Sequence, residues 1–538
     1  MIAKKVLFRI ALLISVAAAA VAQQAPPSSH APAPARAARA AAPRAGVVKP
    51  ALGVPRQPLD AAIAAALKDV SAARVQATIE KLVSFNNRNS NGSRFPELHD
   101  KGQGVLAARE WIKSEFERYS ADCGGCLEVK TDSFIQPKAP RVPQDTEMSN
   151  IYAVLRGTDP ELASRVYLVT GHYDSIAIRP RPRGEQAAAA AADVTAAQFT
   201  GLDDVNAFAP GANDDASGTA VSLECARVLS KHRFPATIIF LTVPGEEQGL
   251  DGSAHLAKLA RDEKWDLLAV LDNDIVGGDT TPGDFHQNKH IVRVFSEGVP
   301  LALADNAVEM RRIRTYGWEN DSPSREVARY MRQVAKTYLT TGFGPQMMFR
   351  ADRFGRGGDH TSFNRFGFAA VRITEFHENP HHQHQAVRQE DGVQYGDLPK
   401  FVDFAYVANV ARLNAATLAA LASAPAPPAK PVIDARGQDD PTNLSWEAAP
   451  GATAYEVLWR DTTAPEWQYS ENVGNVTKVT MPYSKDNITY GVRALDAKGH
   501  RSLVVLPKPP AGRPPAYEGA PAASPRPGAS PAVTPPGA

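Results

Sequence analysis

The stretch Val166-Tyr167-Leu168-Val169-Thr170-Gly171-His172-Tyr173-Asp174-Ser175 decides the architecture. Its first five residues, rich in β-branched and apolar types, form a short continuous run of the kind buried on both faces of a parallel sheet. Three other runs share that character: Thr237–Val243, Leu267–Leu271 and Ala369–Thr374. Helical periodicity predicts helices over Ala73–Phe85, Val105–Tyr119, Ser217–His232 and Ser253–Arg261. Strands separated by helices define the α/β class, here a mostly parallel, doubly wound sheet with helices on both faces. Ligands of such sheets sit beyond the carboxyl ends of the strands, so the residues after each run carry the chemistry.

Those residues are carboxylates and histidines. His172 and Asp174 follow the first run, and Asn213-Asp214-Asp215-Ala216-Ser217-Gly218 opens the helix after it. Glu246-Glu247 follow the Thr237 run, Asp272-Asn273-Asp274 end the Leu267 run, and Gly358-Asp359-His360 precede the Ala369 run. Singly, each has a plain structural explanation: a hydrogen-bonded histidine, an N-cap, a solvated acidic pair. Gathered at successive strand ends they do not, because burying so many carboxylates together is unfavourable unless cations neutralise them. Imidazole with carboxylate suits zinc, with cobalt or manganese as substitutes.

In this order the motifs resemble the M28 family of co-catalytic zinc peptidases, which includes leucine-type aminopeptidases and glutamate carboxypeptidases. The resemblance spans roughly residues 70 to 420. It implies two zinc ions per chain, with His172 and Asp274 on the first, Glu247 and His360 on the second, and Asp214 bridging both. It implies Glu246 as general base and Asp174 as the partner that orients His172. Asp215 and Asp272 are the competing carboxylates beside Asp214 and Asp274. Two departures stand out. An Ala-rich insertion, including Ala187–Ala192, separates Asp174 from Asp214, and a histidine-rich stretch with His377, His381, His382 and His384 replaces the family's Tyr-His-Thr ending. That stretch could form a further metal site, supply a transition-state hydrogen-bond donor or, as the leading expectation, make a loop with one histidine lining the cleft.

The remaining chain frames this centre. Its 538 residues exceed one compact core. A net charge of +1, from 59 Lys+Arg against 58 Asp+Glu, lacks the electrostatic footprint of a nucleic-acid-binding protein. Lys4, Lys5 and Arg9, an apolar run from Ile10 to Ala20 and a small-residue site ending at Ala22 predict a cleaved signal peptide over residues 1–22. Secretion or periplasmic location without stable membrane insertion follows as an expectation. A Pro/Ala-rich linker is expected over 23–58, the peptidase over 59–423, a hinge over 424–429 and a Pro-rich tail over 506–538. Cys123 and Cys126 predict a local disulfide in an exported chain, leaving Cys225 as a buried thiol.

Residues 430–505 carry short apolar runs and turn residues expected of a small antiparallel sandwich. Trp446, Tyr455 and Tyr490 resemble the core aromatics of fibronectin type III domains, implying a spacer or a glycan- or protein-binding module. The leading expectation is an exported aminopeptidase acting on peptides. The alternatives are a carboxypeptidase of the same family, a glutaminyl-cyclase-like acyltransferase, and an inactive receptor-like binding protein.

Overall fold

The computed structural model describes residues 53–178, 205–435 and 440–510. The expected signal peptide, the Ala-rich insertion and the tail beyond 510 lie outside the described residues.

Eight strands form one sheet: β1 (Leu127–Gln136), β2 (Thr146–Leu155), β3 (Arg165–Thr170), β4 (Thr237–Thr242), β5 (Asp266–Asn273), β6 (Ile291–Ser296), β7 (Gly344–Met348) and β8 (Ala370–Glu375). Their order is β1-β2-β4-β3-β5-β8-β6-β7. The central β4-β3-β5-β8 block is parallel, and it comprises the four runs expected from sequence. At the margins β1 pairs antiparallel with β2, β2 with β4, and β6 with β8, so the whole sheet is mixed.

Period-two alternation explains why the sheet is covered on both sides. Tyr167 and Val169 of β3 pack into a core with the helices Ala72–Val83, Gly104–Asp122, Ala216–Leu229, Pro323–Tyr338 and Phe404–Ser423. Val166 and Leu168 point the other way, into a smaller core that includes Leu256 and Ala257 of the Asp251–Asp262 helix and Phe363 of the Asp359–Arg365 helix. The Phe404–Ser423 helix is apolar nearly all round because it is buried among other helices beneath the sheet.

A short hairpin, β9 (Arg388–Glu390) with β10 (Val393–Tyr395), precedes that helix. Beyond it come β11 (Ala429–Ile433), β12 (Thr442–Glu447), β13 (Ala454–Asp461), β14 (Tyr469–Gly474), β15 (Lys478–Met481) and β16 (Ile488–Leu495). They make two antiparallel sheets, β11-β12-β15 and β14-β13-β16. Trp446, Tyr455 and Tyr490 all lie in the core between them. The hydroxyl of Tyr455 accepts from Ala449 N at 2.8 Å, and that of Tyr490 donates to Tyr483 O at 2.8 Å, so both tyrosine hydroxyls are satisfied.

Of the expected linkers, residues 53–58 and 424–429 are described and packed against the fold, while 23–52 lie outside the described residues. Ala424 is buried, and Arg165 at the start of β3 donates to the carbonyls of Ala424 (2.7 Å) and Pro425 (3.0 Å). Residues 56–58 also lie against the Pro323–Tyr338 helix and the end of the sandwich, through Thr337 Oγ1 to Gln57 O (3.1 Å), Tyr338 Oη to Pro58 O (3.0 Å) and Arg501 to Arg56 O (3.1 Å). Backbone carbonyls in Pro/Ala-rich segments lack neighbours of their own type, and here side-chain donors satisfy them. Cys123 and Cys126 form a disulfide, and Cys225 is a buried free thiol.

The sheet meets the Ala216–Leu229 helix at Gly171, where an added Cβ would sit 2.4 Å from Gly218 C and 2.6 Å from Thr219 N. Gly171→Ala is expected to destabilise the protein by about 1–3 kcal/mol, because rigid backbone must shift. Gly344→Ala, whose nearest neighbour is Ala335 Cβ at 3.6 Å, is expected to leave thermal unfolding almost unchanged. Equal melting temperatures for the two variants would show that the contact yields freely.

Candidate metal centre

The centre forms where β3, β4 and β5 end. The chain leaves β3 through Gly171, and the backbone N–H of His172 donates to Asp215 Oδ2 at 3.0 Å. Asp215 also caps the Ala216–Leu229 helix, accepting from Gly218 N at 2.8 Å. Asp215 is thereby committed to structure, and Asp214, one residue earlier, is free to face the cleft. The Asp214–Asp215 peptide bond is cis. After β4, Gly245 adopts φ +72° and turns the chain into the single helical turn Glu246–Gly249, which presents the two glutamates side by side.

Asp214 is the hub. One carboxylate oxygen lies 3.1 Å from His172 Nε2, and the other lies 2.8 Å from His384 Nε2. His172 Nε2 is also 3.9 Å from Asp274 Oδ1, while His384 Nε2 is 3.1 Å from Glu247 Oε2. Two overlapping donor sets result: His172 with Glu246 and Asp274, and His172 with Asp214 and Glu247, each with ligand atoms within 4.8 Å of one another. Asp174, buried below, sits 3.3 Å from His172 Nδ1 and accepts the backbone N–H groups of Glu246 (3.4 Å) and Glu247 (3.3 Å). It therefore orients the imidazole and the Glu246–Gly249 turn together.

These groups perturb one another strongly. Burial alone raises the carboxyl of Asp214, yet His384 and His172 outweigh it and hold it well below the usual carboxylate range. Burial also opposes charge on His172, but the carboxylates of Asp174, Asp214 and Asp274 that face its ring keep its proton affinity well above that of an ordinary histidine. Glu246 is pushed upward by burial, against the pull of His172, with Asp274 and Glu247 adding to the rise. The donor chemistry and its unsatisfied atoms fit a divalent cation. His172 Nε2 and Glu247 Oε1 are buried and make no hydrogen bond among the described residues, which is costly unless another ligand completes them.

His172, Asp174, Asp214, Glu246, Glu247 and Asp274 thus come together. His360 does not. Its Nδ1 lies 3.2 Å from Asp272 Oδ2 and its Nε2 lies 2.9 Å from Ala351 O, so both ring nitrogens are occupied behind the centre. Asp272 accepts the His360 backbone N–H at 3.0 Å as well, which separates it from Asp274 and leaves the latter to the cluster. The second imidazole is that of His384, from the histidine-rich loop. His384 has φ +54°, a conformation rarely adopted outside glycine, and the loop is held by Ile178 N to His384 O (2.6 Å) and Ala386 N to Ile178 O (3.0 Å). Its neighbours are engaged elsewhere: His377 with Asp284, His381 against Tyr395, His382 with Asp279 and stacked on Phe401.

Four supporting residues carry no sequence signal of their own. Asp397 accepts the backbone N–H of Asp214 at 2.7 Å and of Asn213 at 2.8 Å, and burial raises its carboxyl to about 7. Buried Arg88 ties Tyr173 O (2.7 Å) to Pro210 O (2.7 Å) and Gly211 O (2.8 Å). Glu375, at the end of β8, accepts from Asn213 Nδ2 at 3.1 Å. Arg372 pairs with Asp274 Oδ2 at 2.6 Å, leaving Oδ1 turned toward His172.

A mixed α/β sheet whose strand ends gather two histidines and several carboxylates around one central aspartate has the layout of a metallohydrolase. Residues 150–407 match Peptidase family M28. A protein of Leptosphaeria maculans named "Probable zinc metalloprotease" is 40% identical over 462 residues, covering 85% of this chain and 99% of that one. A protein of Pyrenophora tritici-repentis with the same name is 39% identical, over 84% of this chain and 88% of its own. The chain belongs to peptidase family M28. The crystal structure of the Legionella pneumophila LapA aminopeptidase overlaps with a TM-score of 0.43 at 19% identity, covering 68% of this chain and 76% of that one, which is too loose to bear on the chemistry.

Replacing His384 by Ala is expected to remove bound metal, whereas His360→Ala leaves metal stoichiometry near that of the native protein and lowers stability. Elemental analysis of the purified variants checks this directly. Metal loss in His360→Ala with retention in His384→Ala would reverse the assignment.

Proposed function

We propose that the protein is an exported aminopeptidase that holds two zinc ions and hydrolyses the first peptide bond of its substrates. The observation that carries this reading is Asp214, whose two oxygens face two different imidazoles at 3.1 Å and 2.8 Å. His172, Asp274 and one oxygen of Asp214 would hold one ion, and His384, Glu247 and the other oxygen the second. The zinc of the reading is supported by the donor set and by the name of the relatives. The preference for free N-termini is supported by the likeness of the motifs to leucine-type aminopeptidases. Export is supported by the N-terminal sequence and by the Cys123–Cys126 disulfide.

Zinc at such a site acts as a Lewis acid, polarising the scissile carbonyl and making water deprotonate near neutral pH. Glu246 takes the proton of the attacking water and returns it to the leaving amine. Asp174 keeps the His172 ring turned so that Nε2 faces the cleft. Asp397 fixes the backbone of Asp214 and so the direction of its two oxygens.

Glu246→Gln is expected to retain zinc and to lower kcat by about 10²–10⁴-fold. Asp214→Asn should lose most of the metal and all turnover. Both are read by elemental analysis beside hydrolysis of free and N-blocked aminoacyl substrates. Cleavage of blocked substrates alone would sink the aminopeptidase reading, and full activity in Glu246→Gln would sink the assigned base. Chelation should lower the melting temperature, since the buried carboxylates are then no longer neutralised.

A further inference from the structure

Arg141 stands beside the metal centre with its charge uncommitted. It belongs to the turn Ala139–Val142, closed by Ala139 N to Val142 O (2.8 Å) and Val142 N to Ala139 O (3.0 Å). Val142 is fully buried, and the carbonyl of Arg141 accepts from Asn91 Nδ2 at 3.0 Å. The backbone is therefore fixed while the side chain is exposed. One guanidinium nitrogen, NH1, donates to the carbonyl of Glu247 at 2.8 Å. No carboxylate among the described residues forms an ion pair with it, although this chain pairs most of its buried arginines.

That placement has an electrostatic consequence. The Glu247 carbonyl takes one N–H of the fork, and the other donors remain free for a planar, bidentate acceptor. The exposed guanidinium carries an unpaired positive charge of its own, so it favours an incoming anion over a neutral group. In a peptide whose scissile carbonyl meets Glu246, the first anion beyond the broken bond is the terminal carboxylate of a dipeptide. In a longer chain it is an acidic side chain at the second position.

We propose that Arg141 is a specificity-determining residue that binds a carboxylate on the leaving-group side of the scissile bond, making short peptides with a free C-terminus, or peptides acidic at the second position, the favoured substrates. This rests on the peptidase reading above and adds the substrate class. Arg141 does not touch the reacting atoms. Its role is to hold the substrate in register.

The test uses the zinc-loaded full chain, native and as Arg141→Met and Arg141→Lys. Substrates are an alanyl dipeptide against its C-terminal amide, and peptide amides with Glu against Gln at the second position. The native protein is expected to favour the acid member of at least one pair by about tenfold in kcat/KM, as one charged hydrogen bond supplies. Arg141→Met should erase that preference through KM, with kcat, zinc content and hydrolysis of an aminoacyl 4-nitroanilide nearly unchanged. Arg141→Lys should restore part of it. A preference in the first pair assigns the ligand as the terminal carboxylate, and in the second as the side chain. If Arg141→Met leaves both ratios at the native values, or slows every substrate alike while losing zinc, the residue only braces Glu247 and the proposal falls. Calorimetric binding of the same pairs to zinc-loaded Glu246→Gln gives the answer without turnover. Failure of the aminopeptidase reading would show separately, as cleavage confined to N-blocked substrates.

Discussion

Everything in the catalytic part depends on holding the Asp214 carboxylate between two imidazoles. A carboxylate in that position must be dehydrated, and dehydration is tolerable only if each oxygen keeps a partner. The surrounding structure supplies fixed geometry on every side. Asp215 caps the following helix and hydrogen-bonds the His172 backbone, so helix and strand are locked together one residue from the hub. Asp397 grips the preceding backbone from the opposite direction. Close approach of Gly171 to Gly218 makes the strand and helix near enough for both bonds.

The same constraint explains the ring of buried charge around the centre. Arg372 neutralises one oxygen of Asp274, and Arg88 laces three loop carbonyls beneath the site without meeting a carboxylate directly. Farther out, another buried network joins the Pro323–Tyr338 helix to the C-terminal sheets: Arg329 with Glu326 and Asp321, Arg460 with Asp321, and Trp467 Nε1 to Glu326 Oε2 at 2.9 Å. Arg493 reaches Gln333 on the same helix at 2.9 Å. The sandwich is thus bonded to the catalytic core through desolvated ions, a contact far more demanding of geometry than a flexible tether.

Much of this is legible in the amino-acid sequence. The four central strands announce themselves as apolar runs because burial on both faces leaves no room for polar alternation. The marginal strands do not. β1 alternates in exposure along Leu127–Gln136 and reads as polar, Arg293 interrupts the apolar run of β6, and Pro345 and Gln346 interrupt β7. At the centre, local sequence places His172 after a strand, Glu246-Glu247 in a turn and Asp214 before a cap. His384 is placed by a loop that folds back onto Ile178, and no spacing rule encodes which of the four histidines makes that return. His360 drew attention through its motif, yet the local helix turns its ring toward Asp272. What chooses among four histidines in one loop is tertiary contact, such as the stacking of His382 on Phe401.

His384 and Asp397 lie far along the chain from His172, and the hydrogen bonds that place them close over the whole intervening sheet. The donor set is therefore complete only after nearly the entire catalytic part has been synthesised and folded. Shorter segments hold His172, Asp214, Glu247 and Asp274 without their second imidazole, so a partly synthesised or half-folded chain carries an incomplete donor set. Charging with metal becomes a late event, coupled to final loop closure rather than to early collapse, and hydrolytic competence is withheld until the molecule has reached its finished form.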